Sequence, residues 1–352
     1  MSDMIDAPHE TGAAGTRRWP KLLAAFREPD EVRSVFEILV TALPFAGFWV
    51  VMWWLVSTGH WWLALFFTVP AAAFLVRLFM IQHDCGHDAF FRRRAVNDWV
   101  GRIIGVATFT PYDYWRRTHA VHHAGSGNLD QRGMGDVTTL TVEEYRASGF
   151  WGRIGYRAYR HPLVMFGIGP AYLFLLQYRL PIGLMREGWR PWASAMGTNL
   201  AIIAVAVFLI WLVGLGPFLM IQLPIVAVAG SIGVWLFYVQ HQFEGTFWAR
   251  PPEWTHQEAA LHGSSYYVLP GFLRWMTANI GLHHIHHLAS RIPYYNLPKV
   301  LRTHPELGSI GRVTLSDSLR TVRLVLWDER RRQMVPFKGW RRWSAAAAPQ
   351  AS

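Results

Sequence analysis

The sequence predicts an all-α, multi-pass integral membrane protein: two transmembrane helical hairpins, four spans in all, beneath a cytoplasmic helical cap. Three observations carry this. Of 352 residues, 52% are hydrophobic and only 16% charged, too apolar for an ordinary soluble domain. Four stretches, roughly 37–57, 61–81, 195–215 and 218–240, supply the about 20 mainly apolar residues that a spanning helix needs. Nearly all Arg and Lys fall outside those stretches, in 1–36, 82–194 and the region after 241, so the positive-inside rule puts all three segments in the cytoplasm.

Each element follows in order. Residues 1–36 are polar and mixed in charge, without an apolar run leading to a small-residue cleavage site, and form a cytoplasmic N-terminal segment. The first two spans are joined by STGH (57–60) and the last two by GLGP (214–217). Links this short make each pair a hairpin that starts and finishes on one side. Trp53, Trp54, Trp61 and Trp62 flank the first turn, where amphipathic rings favour the interface. Between the hairpins, LVMFGIGPAYLFLLQY (163–178) is apolar but short and interrupted by Gly and Pro, which predicts a re-entrant or interfacial helix. No internal repeat or linker divides residues 37–315. The stretch 316–352 is a basic, low-complexity tail, its basic part expected on the membrane surface and its Ala-rich end disordered.

The net charge of +11 lies in short clusters beside apolar runs, as in FRRRAV (91–96) and YWRRTH (114–119). That pattern suits loops against anionic lipid and argues against nucleic acid as a partner. The single cysteine, Cys85, excludes an intrachain disulfide.

Histidine is where the chemistry concentrates. Most of the sixteen fall into HDCGH (His83, His87), HAVHH (His119, His122, His123) and HHIHH (His283, His284, His286, His287). Positions i, i+3 and i+4 share a helix face. His83 and His87 therefore point one way, as do His119, His122 and His123, and likewise His283, His286 and His287. Eight imidazoles converging on one volume are too many for one metal ion, and imidazole suits Fe, Zn, Cu and Ni alike. Zinc held structurally usually takes cysteines, and a hydrolytic two-metal site more often carries carboxylate ligands. His9, His60, His161, His256 and His304 are read as surface or hydrogen-bonded residues.

The boxes are similar to those of the membrane fatty acid desaturases. HDCGHDAFF (83–91), HAVHHAGSGNLDQRGMGDV (119–137), YVQHQFE (238–244) and NIGLHHIHHLASRIPYYNLP (279–298) most resemble the bacterial acyl-lipid desaturases of the Δ12, or omega-6, type. The resemblance runs from about residue 36 to 315. It implies a non-haem di-iron centre, O2 as co-substrate, and insertion of a cis double bond into the acyl chain of a membrane lipid. The ligands it implies are His83, His87, His119, His122, His123, His283, His286 and His287, with His241 as a ninth. His284 lies outside the pattern, as a hydrogen-bond donor behind the ligands or a solvated residue. Asp84, Asp88, Asp130, Asp136 and Glu244 are candidates to fix imidazole tautomers.

An alkyl C–H bond offers neither an acidic proton nor a leaving group, so acid and base side chains alone cannot attack it and a metal-based oxidant is required. The acyl chain is expected to enter an apolar tunnel between the hairpins, with Trp115 and the aromatics of TPYDYW (110–115) at its mouth or in an interfacial belt. Arg92, Arg93, Arg94, Arg116 and Arg117 are candidates to hold the head group. No haem, iron–sulfur or dinucleotide motif is visible, so electrons are expected from an external ferredoxin-like or cytochrome donor. The expected location is a bacterial inner membrane, with the active site facing the cytoplasm. Competing readings are a di-iron lipid, carotenoid or alkane hydroxylase, a histidine-rich metal transporter and a bis-histidine haem carrier.

Overall fold

The computed structural model describes residues 19–338. Among the described residues, four helices are long and apolar enough to cross a membrane: α1 (Glu31–Ser57), α2 (Trp61–Gly86), α7 (Trp189–Val213) and α8 (Leu215–His241). Between and after them lie α3 (Arg94–Ala107), α4 (Tyr112–Gly125), α5 (Phe150–Tyr159), α6 (Gly169–Leu175) and α9 (His283–Leu288).

The hairpin turns sit where the chain chemistry puts them. Gly59 and Gly214 adopt positive φ, +84° and +87°, which glycine tolerates without a Cβ clash. The helix ends, however, do not follow the apolar runs. α1 begins at Glu31, inside the segment expected to precede the membrane, because the Asp30 side chain accepts a hydrogen bond from the Arg33 amide at 3.0 Å and caps the helix. α2 runs on through His83, so the first histidine box is the last turn of a long helix. α8 likewise ends on His241 itself.

α1, α2 and α8 pack together, whereas no residue in the apolar stretch of α7 is fully buried. With no hydrophobic drive between helices in lipid, polar links contribute to their association. Trp49 Nε1–H donates to Gln222 Oε1 at 3.2 Å across α1 and α8. A buried ion pair joins Arg77 of α2 to Glu37 of α1, and Arg33 reaches Glu37 at 2.6 Å.

Residues 163–178 do not form a span. Val164–Ile168 is a π-helical turn that leads into α6. This broken helix lies along α8, Phe166 packing on Trp235 and Tyr238. A Cβ at Gly230 would stand 3.1 Å from the Phe174 ring and 3.3 Å from Pro170, so a small residue there lets the two backbones approach.

The all-helical expectation holds apart from short strands that brace the cap: β1 (Leu140–Thr141), β2 (Tyr266–Val268), β3 (Arg312–Thr314), β4 (Leu326–Asp328) and β5 (Gln333–Val335). β1 pairs parallel with β4, which pairs antiparallel with β5; β2 pairs parallel with β3. The part of the basic tail up to Lys338 is therefore partly built into a sheet, where backbone pairing and burial of Met334 and Val335 hold it, with Arg330, Arg331 and Arg332 exposed. His9 and the Ala-rich end lie outside the described residues.

Candidate metal centre

Four elements deliver nine imidazoles to one volume. His83 and His87 come from the end of α2, His119, His122 and His123 from α4, His241 from the end of α8, and His283, His286 and His287 from α9, whose six residues are all buried. Their ligand atoms separate into two groups, His83, His87, His119, His123 and His286 in one, and His122, His241, His283 and His287 in the other. The boxes do not map one to one onto the groups. His119 and His123 share a group while His122, between them on α4, belongs to the other, and α9 splits in the same way.

The separations are those of atoms aimed at a shared point. Nε2 of His119 lies 3.0 Å from Nε2 of His87 and 3.1 Å from that of His123. In the second group His283 Nε2 is 3.0 Å from that of His241 and 3.1 Å from that of His287. Two nitrogens at right angles around one ion, each about 2.1 Å from it, lie about 3 Å apart. His122 Nε2 is buried without a protein partner, an orphan acceptor of the kind that a bound ion satisfies. An all-imidazole donor set of this spacing fits two transition-metal ions.

Three of the rings are held from their far side, as metal-ligating histidines commonly are. Asp136 accepts from His122 Nδ1–H. The Asp84 carboxylate lies 3.2 Å from His83 Nδ1 and accepts the Tyr294 amide N–H at 2.7 Å. His241 Nδ1–H points to the Gly263 carbonyl at 3.2 Å. Desolvation, followed by the crowding of neighbouring imidazoles, holds His119, His123, His283, His286 and His287 well below the usual histidine range. They are thus neutral, the form that donates a lone pair to a metal.

Other candidates fall elsewhere. His284 belongs to neither group; its Nε2–H donates to the Leu307 carbonyl at 3.0 Å, and burial pushes it down to about 4. Asp88 pairs with Arg116 at 2.7 Å, Asp130 pairs with Arg250, and Glu244 is exposed, so of the five carboxylates only Asp84 and Asp136 meet imidazoles. Trp115 packs against the site itself. It is buried and stacked on His119 at 4.6 Å with planes 16° apart, and Gly86 makes room for its ring. Tyr112 is buried too, its hydroxyl donating to the Cys85 carbonyl at 2.9 Å.

Arg94, Arg116 and Arg117 line a groove of about 930 Å³ between α3, α4 and the start of α7, which Arg102 and Arg190 also border. Arg92 and Arg93 are exposed outside it. Arg116 is neutralised by Asp88 and Asp98 and Arg102 by Asp113. The buried Glu37–Arg77 pair escaped the sequence reading. Its signal was present, as one charged residue in or beside each of two facing apolar runs.

Fold and site together define a class: a helical protein with membrane-crossing helices whose cap encloses two clusters of imidazoles able to hold metal. Comparison with known proteins narrows this. Residues 59–311 match the fatty acid desaturase family. The chain is 41% identical over 329 residues to a fatty acid desaturase of Bacillus subtilis strain 168, covering 94% of this chain and 93% of that one. It is 28% identical over 297 residues to an sn-1 acyl-lipid omega-3 desaturase (ferredoxin) of Synechocystis, covering 81% and 79% of the two chains. With an sn-1 oleoyl-lipid 12-desaturase of the same organism it shares 29% over 236 residues, 63% of each. The chain belongs to the fatty acid desaturase family and is an oxidoreductase of that family.

Proposed function

We propose that this enzyme inserts a cis double bond into an acyl chain of a membrane lipid at a di-iron centre held by His83, His87, His119, His123 and His286 on one side and His122, His241, His283 and His287 on the other. In the overall reaction an acyl –CH2–CH2– gives up two hydrogens, an external donor supplies two electrons that enter with two protons, and O2 is reduced to two molecules of water. The observation that carries the reading is the pair of imidazole clusters in a chain of this family.

Bound iron supplies O2-dependent oxidising power sufficient for an unactivated C–H bond. The protein's own residues do the rest. Burial keeps His119, His123, His283, His286 and His287 neutral. Asp84 and Asp136 fix the tautomers of His83 and His122, so that Nε2 faces inward. Trp115 holds the His119 ring in plane. Arg117 and Arg190, exposed and without an acidic partner among the described residues, offer the groove between α3, α4 and α7 to an anionic head group.

The catalytic unit covers residues 37–315, preceded by segment 1–36 and followed by 316–352, whose strands brace it. It sits in a bacterial inner membrane with the histidines toward the cytoplasm, a placement supported by the distribution of Arg and Lys. The electron donor is ferredoxin-like or a cytochrome. Ferredoxin appears in the names of the omega-3 desaturases of Synechocystis and Nostoc, and a basic face suits an acidic donor. The Δ12 position expected from the boxes has support from the 12-desaturases of Synechocystis and Anabaena, but omega-3 enzymes match at similar identity, so the product decides it.

The test compares total fatty acids, by gas chromatography and mass spectrometry, in host cells expressing this chain or its His286→Ala variant. A new unsaturated species only with the intact chain supports the proposal and gives the bond position. A hydroxylated product instead would replace it with the hydroxylase reading.

A further inference from the structure

Helix α5 is inside out. Its face toward the protein carries Tyr156 and Arg160, the residue that caps it, and Arg160 is only 3% exposed. Its outward face carries Phe150, Trp151 and Ile154 at helical spacing, with Trp151 78% exposed. A helix bordering water keeps its outward face polar; this one leaves an aromatic and aliphatic stripe outward.

The inward face is tied into the protein. Arg160 donates to Tyr238 Oη at 3.1 Å, to Gln242 Oε1 at 3.0 Å and to the Leu324 carbonyl at 2.9 Å, and Tyr156 Oη accepts the Leu140 amide at 3.1 Å. Turning the helix over would strand a buried guanidinium, so its orientation is fixed from within.

Its level is fixed as well. Tyr238 and Gln242 flank His241, where α8 ends, so Arg160 pins the end of α5 to the mouth of a span. From there the chain descends. Phe166 meets Tyr238 and Trp235, and Pro170 and Phe174 meet Gly230, eight residues and about 12 Å further into α8 at 1.5 Å per residue. At the bottom Arg179 donates to Asn199 Oδ1 at 2.8 Å, and Asn199 Nδ2 donates to the Arg179 carbonyl at 2.8 Å. Asn199 lies ten residues, about 15 Å, along α7 from Trp189. The chain then climbs back to Trp189. Leu163, Ile168, Tyr172 and Leu176 extend the outward apolar surface down this dip.

We infer that residues 150–188 form a half-inserted membrane hairpin in addition to the four spans, with α5 lying in the head-group layer and Phe150, Trp151 and Ile154 buried among acyl chains. The occupant of this face is the lipid bilayer. Depth against two spans argues for it, as does the continuity of the apolar face from α5 into the dip. Interfacial helices of this kind bury one apolar face at the boundary of head groups and acyl chains, and irregular backbone at membrane depth is tolerated where protein covers it, as α8 covers 164–175. The inference rests on the spanning assignment of the long helices, and the test separates the two.

Spin labels are placed on the full-length protein at Trp151→Cys and Ile154→Cys, with Leu200→Cys on the exposed face of α7 and Glu253→Cys on an exposed turn as references. Labelled wild-type protein sets the background from the buried Cys85. After reconstitution in phosphatidylethanolamine and phosphatidylglycerol vesicles, collision with O2, which concentrates in acyl chains, is compared with collision with a water-soluble nickel chelate. The expected result is an O2-to-nickel ratio at 151 and 154 several-fold above that at 253 and on the side of 200. A ratio at 151 and 154 equal to that at 253, while 200 reads as lipid-exposed, overturns the inference and leaves the spans intact. Low collision with both reagents also overturns it, because protein then covers the face, either a second copy or residues 339–352. A water-like ratio at 200 overturns the spanning assignment itself.

Discussion

Asp136→Ala removes the acceptor for His122 Nδ1–H, and its effect can be worked from the site. In the metal-free protein the His122 ring can turn or shift its proton. Once Nε2 is committed to a metal, Nδ1 must carry the proton, and His122, only 1% exposed, is left with an apolar methyl group where its acceptor stood. The cost therefore falls on the metal-bound state. An unsatisfied buried donor costs about 1–3 kcal/mol, which at about 1.4 kcal/mol per tenfold is roughly 5- to 150-fold in affinity. That range overlaps the about 10–100-fold found when residues behind metal ligands are replaced. The loss should be confined to the four-imidazole group, since among the described residues Asp136 hydrogen-bonds one imidazole, that of His122. Purified protein dialysed against a chelator series and measured by elemental mass spectrometry should show one iron leaving Asp136→Ala at about 10–100-fold lower chelator than wild type, the other leaving unchanged. Asp130→Ala, which breaks a surface pair with Arg250, should release iron like wild type. Equal release curves for the two variants would refute the assignment of Asp136.

Glu37→Leu should destabilise the detergent-solubilised protein more than Arg77→Met, by about 3–5 kcal/mol against a smaller loss. Removing Glu37 leaves Arg77 buried without a counter-charge, whereas Glu37 left alone keeps Arg33 and the Tyr294 hydroxyl; a thermal melt ranking them the other way sinks this. Gly281→Ala should lower both iron content and melting temperature, because its Cβ would stand 2.5 Å from the Tyr267 carbonyl oxygen and such overpacking costs about 1–3 kcal/mol. Gly233→Ala, with open space around it, is the silent control. Acid should destabilise the fold. His284, held down to about 4 by burial, stays neutral in the folded protein while the unfolded chain takes up its proton near about pH 6.5. Its penalty is absent above that pH and grows as pH falls toward 4, and the depressed ligand histidines act in the same direction. A melting temperature that rises between about pH 7 and 5 would contradict this.

The long helices were legible because membrane spans announce themselves by run length alone. Their ends were not, since Asp30 and the histidines at 83 and 241 extend the helices by capping and by site geometry, neither of which hydropathy reads. Helical spacing within each box was enough to bring the histidines into one volume. It could not show that His122 parts from His119 and His123, because that depends on how α4 is rotated against α9. Trp115 resembled an interfacial residue on composition, and only packing shows it flat against His119. The short strands carry two or three residues each, fewer than periodicity needs. Arg160 offered no signal at all, being one arginine among many until its partners are seen.

The unequal division of the imidazoles also imposes an order on biosynthesis. By the time residue 123 has left the ribosome, the first group has four of its five nitrogens, His83, His87, His119 and His123, on two neighbouring helices. At that point the second group has only His122. It gains His241 with the last span and is completed only by His283 and His287, after both hairpins have been made. Most of one cluster is therefore encoded before the second hairpin, and most of the other only with and after the last long helix.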